Sequence, residues 1–283
     1  MNKRVEFWGD IFKGIGLGLN FGYYDNIIII MGTFLCFSFN IEVNLKKKYY
    51  ICIMKLTIIS DTHGKHKHVH HDLPGGDLLL HAGDISSMGY EHEITQFAGW
   101  YDKIVTYDHK VFIAGNHDWG FQNNVEKVKG ILTGYKTIDY IQDELMTIQD
   151  GDGPEIKIWG SPWQPEFYNW AFNLPKNGEE LKAVWDMIPE GIDILITHGP
   201  AWGILDNVEG NRNVHLGCEL LGEKIKQIKP KIHICGHIHS GHGHYYDGHT
   251  HYFNASVLNE QYLYSHTPRN IDWDPITNEI KFI

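Results

Sequence analysis

The side chains in this sequence that can do chemistry are carboxylates, imidazoles and one amide, gathered in five short clusters. Ser60-Asp61-Thr62-His63 follows the apolar run 56–59, Gly83-Asp84 comes shortly after 78–80, and Gly115-Asn116-His117-Asp118 after 111–113. Thr197-His198 closes the run 192–196, and Gly236-His237-Ile238-His239 closes 232–235. Such a mixed oxygen and nitrogen donor set suits Mn, Fe, Zn or Ni better than Ca or Mg, which prefer oxygen alone. Asp61 and His63, one residue apart, can point to the same side of an extended turn, and so can His237 and His239. A carboxylate such as Asp84 can bridge two ions about 3.5–4 Å apart, the spacing of two-metal hydrolytic sites. Taken singly, each cluster has a plain structural reading: Asp-x-His as surface, Gly-Asp and Gly-Asn-His-Asp as turns, His198 as a satisfied core histidine. Five of them in this order, each after an apolar run, point instead to one metal site. Asp61, His63, Asp84, Asn116, His198, His237 and His239 are its candidate ligands.

The elements that must position these residues follow from the hydrophobic pattern. The five runs, together with 156–159, read as buried strands. Between them the spacing predicts helices over 91–100, 179–187 and 218–228, with a further one after Asn124. In the third, Leu220, Leu221, Ile225 and Ile228 form an apolar stripe. Residues 244–283 carry turn signals at Asp247-Gly248 and Thr277-Asn278 and read as antiparallel strands. The expectation is an α/β sandwich with sheets inside, helices outside, and the site on loops at the strand ends.

Composition narrows the partners. Lys and Arg number 24 against 35 Asp and Glu, a formal charge of −11. This disfavours nucleic acid, whose binding relies on Lys and Arg releasing counterions. A small phosphoester approaching bound divalent cations fits the charge better. The four cysteines, Cys36, Cys52, Cys218 and Cys235, form no CxxC pair and read as free thiols in a reducing, cytoplasmic compartment. Residues 1–53 read as an N-terminal extension, distinct from a catalytic domain over 54–283. Their apolar stretch 27–39 is shorter than the roughly 20 residues that cross a bilayer as a helix. It also lies too far from the N-terminus for a signal peptide. A loosely docked extension, translation from an upstream start, and a membrane anchor remain as readings, with membrane contact the least expected.

The ordered clusters Asp-x-His, Gly-Asp, Gly-Asn-His-Asp, His and Gly-His-x-His resemble the signature of the calcineurin-like metallophosphoesterases, over residues 54–265. The resemblance is closer to the subgroup of metallophosphoesterase-domain-containing proteins, related to class III cyclic nucleotide phosphodiesterases. It is carried also by Leu78-Leu79-Leu80-His81-Ala82-Gly83-Asp84, Gly160-Ser161-Pro162-Trp163, Trp170-Ala171-Phe172-Asn173 and Phe253-Asn254-Ala255-Ser256. The resemblance implies a metallophosphoesterase-type four-layer α/β/β/α sandwich and two divalent transition-metal ions. Asp61, His63, Asp84 and His239 would hold one ion, and Asp84, Asn116, His198 and His237 the other. It implies His117 as the catalytic histidine, with Asp118 orienting it, and hydrolysis of a small phosphodiester such as a cyclic nucleotide by a metal-bridging hydroxide. Some members of the subgroup have Gly where this chain has His237, so the full ligand set is expected here. A phosphomonoester or protein phosphatase and a catalytically idle metal-binding scaffold are the alternatives.

Other residues carry weaker expectations. His66, His68, His70 and His71 read as exposed. His242 and His244 follow the last cluster closely enough to reach the site's mouth, and His242 is a candidate for substrate contact. Trp163, Phe167, Tyr168 and Trp170 read either as core or as a wall against a nucleobase.

Overall fold

A computed structural model describes residues 19–24, 27–32, 53–149, 153–208 and 211–283. The chain divides into two units, Met1–Cys52 and Ile53–Ile283. In the first, β1 (Leu19–Tyr24) and β2 (Ile27–Gly32) form an antiparallel hairpin. The start of the apolar stretch 27–39 is thus a strand, and its remainder lies outside the described residues. Among the described residues no helix is long and apolar enough to cross a membrane.

The second unit contains two six-stranded sheets. In chain order its strands are β3 (Met54–Ile59), β4 (Gly76–His81), β5 (Tyr107–Phe112), β6 (Asp139–Tyr140), β7 (Glu144–Ile148) and β8 (Ile156–Ser161). There follow β9 (Gln164–Pro165), β10 (Asn173–Leu174), β11 (Ile194–Thr197), β12 (Asn207–Val208), β13 (Asn211–His215) and β14 (Ile232–Cys235). The last are β15 (Gly243–Tyr246), β16 (His251–Asn254), β17 (Arg269–Asp274) and β18 (Glu279–Phe282). One sheet runs β18-β17-β3-β4-β5-β6, the other β15-β16-β14-β11-β8-β7. β3 to β6 are parallel, as are β8, β11, β14 and β16. Their C-terminal ends therefore open onto a common rim in each sheet. The C-terminal region departs from the antiparallel expectation in one place. β15 does return antiparallel to β16, but β16 itself joins β14 in parallel.

The layering follows from strand periodicity of two. Leu78 and Leu80 face the other sheet, joining Leu56, Ile58, Ile194, Ile196 and Phe253 in a fully buried core. Leu79 faces the opposite way, into the helices α1 (Glu91–Asp102) and α3 (Val125–Leu132), through Phe97, Tyr101 and Val128. The short α2 (Trp119–Asn123) precedes α3. Leu195 likewise faces α4 (Glu179–Asp186) and α5 (Glu219–Ile228), meeting Leu181, Trp185 and Leu221. These are the four layers α/β/β/α. Strands buried on both faces read as continuous apolar runs, which is why the runs were legible.

A buried Lys110 closes the end of α1. Its ammonium donates to the carbonyls of Asp102 and Ile104 and to Thr137 Oγ1, so every proton finds an oxygen. Among the described residues, every member of the three apolar clusters lies at or beyond Met54. A chain beginning at Met54 is therefore expected to fold and to unfold in one cooperative transition. Circular dichroism on the full and shortened chains checks this; a shortened chain that fails to fold would make residues 1–53 integral to the domain.

Candidate metal centre

The strand-end loops hold their ligands in an unusual backbone conformation. Asp61 (φ 54°), His63 (φ 42°), Asp84 (φ 53°) and His237 (φ 66°) all lie in the left-handed region. For a residue with a Cβ this costs on the order of 1–3 kcal/mol each and persists only where the surroundings over-determine it. Here they do. Asp61 N–H donates to Gly83 O (3.0 Å) and His63 N–H to Asp84 O (2.9 Å), pinning the first loop to the second. His117 N–H donates to Asp84 Oδ1 (2.8 Å), and His237 N–H to the Asp61 carboxylate (3.1 Å). Two glycines keep room for these carboxylates. A Cβ on Gly236 would sit 2.1 Å from Asp61 Oδ2, and one on Gly115 2.3 Å from Asp84 Oδ1.

All seven expected ligands are brought together, and all but His237 are more than nine-tenths buried. On one side, His63 Nε2 and His239 Nε2 are 3.3 Å apart, with Asp61 Oδ1 3.5 Å from the latter. On the other, Asn116 Oδ1 lies 2.9 Å from His198 Nε2 and 2.8 Å from His237 Nδ1. Between them Asp84 Oδ2 is 3.5 Å from His63 Nε2 and 3.4 Å from His198 Nε2, so one oxygen reaches both groups.

Whether these residues fit metal ions is decided by their tautomers. His198 Nδ1 donates to Ala82 O (2.9 Å), and His239 Nδ1 donates to Asn259 O (2.9 Å). Each neutral ring then presents an Nε2 lone pair to other lone pairs, on Asn116 and Asp84 or on Asp61 and His63. Such convergence is repulsive unless a cation lies among the donors, and a carbonyl behind the ring is the usual device for orienting a ligating histidine. The donor set fits two divalent ions. Without them, protons fill the role. Burial opposes charge on His198, but the Asp84 carboxylate outweighs it and pushes the ring up to about 9. Burial also opposes charge on His239, and Asp61 pushes it up to about 9. Burial pulls His63 down to about 4 and His237 to about 3.

His117 stands beside this group and lines the same cleft, of about 140 Å³. Its Nδ1 donates to Ser87 O (2.8 Å), and its ring stacks on Trp170 at 4.0 Å. The expected partnership with Asp118 is corrected by the structure. The Asp118 carboxylate turns into the loop behind the site, accepting from the N–H groups of Ile85, Ser86 and Gly115 and from Ser86 Oγ. It ties two ligand loops together and has no bond to the His117 ring. Burial, and then Asp84, push this carboxyl up to about 7 against the pull of its donors. Ser87, which orients His117, is itself held through its N–H by Glu93 Oε1 (3.0 Å) on α1.

His242 is a second correction. It does not line the cleft but stacks on His266 at 4.2 Å, with Nδ1 buried and unbonded. His244 stacks on His251 at the sheet edge. His66 is buried against Trp100 and Phe97, whereas His68, His70 and His71 are exposed. Trp163 packs on Phe172 and donates to Asp143, whereas Phe167 lines the cleft. Sequence reading missed Tyr262, whose ring edges His63 at 4.8 Å, and Glu260 on the cleft wall. It also missed Ser256, whose hydroxyl donates to Asp61 Oδ2 (2.7 Å), although Phe253-Asn254-Ala255-Ser256 was a visible signal.

Because metal ligation needs neutral imidazoles, loading must displace the protons on His198 and His239. Metal affinity is therefore expected to rise with pH until about 9, with proton release near neutrality. Calorimetric metal titration in two buffers of different ionisation enthalpy measures it, and buffer-independent heats would contradict it. Gly236→Ala is expected to lower metal content, read by elemental analysis, because its methyl displaces the Asp61 carboxylate; stoichiometric loading of a folded variant would argue otherwise.

With this geometry in place, known proteins give a consistent answer. Residues 54–241 match the family model for calcineurin-like phosphoesterases. Human metallophosphoesterase domain-containing protein 1 is 38% identical over 242 residues, covering 77% of this chain and 70% of that protein. A Caenorhabditis elegans UPF0046 protein is 34% identical, covering 76% of this chain and 59% of its own length. The fold is shared with the Thermus thermophilus protein TT1561 (TM-score 0.56, 13% identity, 82% of this chain and 99% of that one). It is shared also with the phosphopantetheinyl hydrolase of Mycobacterium tuberculosis (TM-score 0.52, 13% identity, 81% and 95%). The chain belongs to the calcineurin-like phosphoesterase family.

Proposed function

We propose that this protein is a dinuclear metal-dependent phosphodiesterase acting on a small phosphodiester such as a cyclic nucleotide. The observation that carries the reading is Asp84 Oδ2, placed within 3.5 Å of imidazoles from two separate ligand groups. A carboxylate so shared is what a pair of adjacent ions requires. The mixed donors favour Mn, Fe, Zn or Ni. When bound, two such ions supply Lewis acidity toward phosphoryl oxygens and a water of lowered pKa. A cleft of about 140 Å³ suits a small ester better than a folded phosphoprotein. The charge of −11 and the free buried thiols Cys218 and Cys235 support a non-nucleic-acid substrate and a reducing, cytoplasmic location.

The chain's own residues have separable tasks. Asp61, Asp84 and Asn116 supply oxygens, and His63, His198, His237 and His239 supply nitrogens. Ser87 O occupies His117 Nδ1, which leaves Nε2 as the ring nitrogen available to substrate. In its protonated form that nitrogen donates to the leaving oxygen or to the phosphoryl oxygens. Stacking on Trp170 limits ring rotation and disperses charge over an aromatic face.

Metal-reconstituted protein is expected to cleave bis(p-nitrophenyl) phosphate and 2′,3′- or 3′,5′-cyclic nucleotides much faster than p-nitrophenyl phosphate. The opposite ranking would make it a phosphatase, and two bound metals without hydrolysis of any ester would make it a scaffold. His117→Ala is expected to lower kcat about 100-fold or more at nearly unchanged metal content. Full activity of that variant on an unactivated phosphodiester would remove His117 from the reaction.

A further inference from the structure

With Asp118 turned away, a different carboxylate reaches His117, through one peptide group. The carbonyl of Ser87 accepts from His117 Nδ1 (2.8 Å). The N–H of the same peptide group belongs to Met88 and donates to Glu93 Oε2 (3.2 Å). In a trans peptide the C=O and N–H point in opposite directions, so holding one end toward Glu93 sends the other toward His117. Glu93 also holds the peptide group on the other side of Ser87, whose N–H donates to Oε1 (3.0 Å). With both flanking amides held, Ser87 has little freedom to turn its carbonyl away.

Helix capping explains only part of this. In the capping box of α1, Glu93 at the third helical position accepts from the N–H of Tyr90, the N-cap residue (3.0 Å). The bonds to Ser87 and Met88 lie outside the helix, and a helix end needs neither. An ionised carboxylate has room for about four donors, and here the turn that carries the acceptor of His117 supplies them. The turn is also braced against the segment that follows His117. Gly89 lies in the left-handed region (φ 72°), and a Cβ there would collide with the backbone of Trp119 and Gly120. Ser87 Oγ donates to His63 O (3.2 Å), so the same residue touches a ligand loop. A peptide group whose N–H is bonded to an anion is polarised, and its carbonyl becomes the stronger acceptor.

We infer that Glu93 is a positioning residue for His117, acting through the Ser87–Met88 peptide group to keep the ring proton on Nδ1 and Nε2 free for substrate. This rests on the phosphodiesterase reading, in which His117 Nε2 meets the substrate. It deepens that reading by naming the carboxylate that takes the part expected of Asp118. The consequence falls on the tautomer and direction of the ring, because Glu93 acts on the turn rather than on the metal ligands.

The test uses full-length protein, manganese-loaded for rates on bis(p-nitrophenyl) phosphate and zinc-loaded for spectra. Glu93→Ala is expected to lower kcat about tenfold, with KM and metal content within about twofold of the unmodified protein. In a His117→Ala background the same change is expected to cost less than about twofold, since the ring it positions is gone. Glu93→Gln keeps an acceptor oxygen of the same reach and is expected to restore most of the rate. Glu93→Asp, one methylene shorter, is expected to show the loss in smaller measure and serves if the alanine variant does not fold. Nitrogen-15 correlation spectra, with His117 assigned by its absence in His117→Ala, are expected to show the neutral ring protonated on Nδ1. In Glu93→Ala an Nε2–H form is expected to grow beside it. A folded Glu93→Ala protein with unchanged kcat, an unchanged tautomer, or a loss that adds in full to that of His117→Ala would overturn the inference. A purely structural cap would give that last result, because its loss falls on both backgrounds equally. If no phosphoester is cleaved but the tautomer shifts, the positioning role stands and the catalytic reading falls. Diester cleavage indifferent to Glu93 would do the reverse.

Discussion

Asp84 Oδ2 sits between two imidazoles carried by different sheets, His63 after β3 and His198 after β11, and much of the architecture serves that meeting. The two strands belong to opposite halves of the sandwich, so the oxygen can be shared only if the sheets are held face to face. The buried layer of Leu56, Ile58, Leu80, Ile194, Ile196 and Ile234 does this. At the rim, a single bridge of Ser60 to Ser256 links the end of the first sheet to that of the second. The hydrophobic effect sets the distance between the sheets, and the polar loops use it. Close packing at the interior leaves little slack, which is how non-directional burial can fix directional ligands.

The cost of this arrangement is concentrated in the loops. Four ligand residues adopt left-handed backbone, and several carboxylates are wholly buried beside one another. Hydrogen bonding offsets part of it. Asp61 accepts from His237 N–H and from Ser256 Oγ, and Asp118 accepts from three backbone amides and a hydroxyl. Partial compensation fits a site whose remaining requirement is a bound cation, because a fully satisfied polar cluster would have no affinity left for one. A second pair of buried histidines shows the contrast. His81 accepts from Gly83 N–H and meets Thr62 Oγ1, while His233 meets Thr197 Oγ1. Both are pulled down to about 3 by burial and remain neutral supports of the ligand loops.

The site is also graded in rigidity. The ligands stand on strand ends, whereas the wall residues Phe167, Glu260 and Tyr262 come from connections and are partly or largely exposed. Tyr262 is nevertheless fixed at φ 57° and its carbonyl is taken by Lys65, from the loop that follows His63. The aromatic rings touching the metal-centre imidazoles thus come from segments remote in sequence: Trp170 against His117, Phe167 against His237, Tyr262 against His63. The candidate ligands follow directly on strand ends, whereas the rings around them come from longer connections.

The sequence alone marked the main buried strands, three helices and the seven candidate ligands, because each rests on local information. An apolar run marks a strand buried on both faces, and a cluster of donors after it marks a strand end. Residues 91–100, 179–187 and 218–228 were legible as helices for the same reason, and the observed helices differ from them only by a residue or two at the ends. What the tertiary structure decided were the partners. The family resemblance implied Asp118 for His117, but consecutive side chains diverge, and the loop handed His117 to Ser87 and Asp118 to the amides behind it. Adjacency suggested that His242 reaches the mouth, whereas the turn after His239 carries it against His266. Tyr262 and Glu260 have no local signature, since what defines them is the surface that faces them across the cleft. A sequence records which residues can ligate; which residue stands behind each ligand depends on distances that exist only after the two sheets have packed.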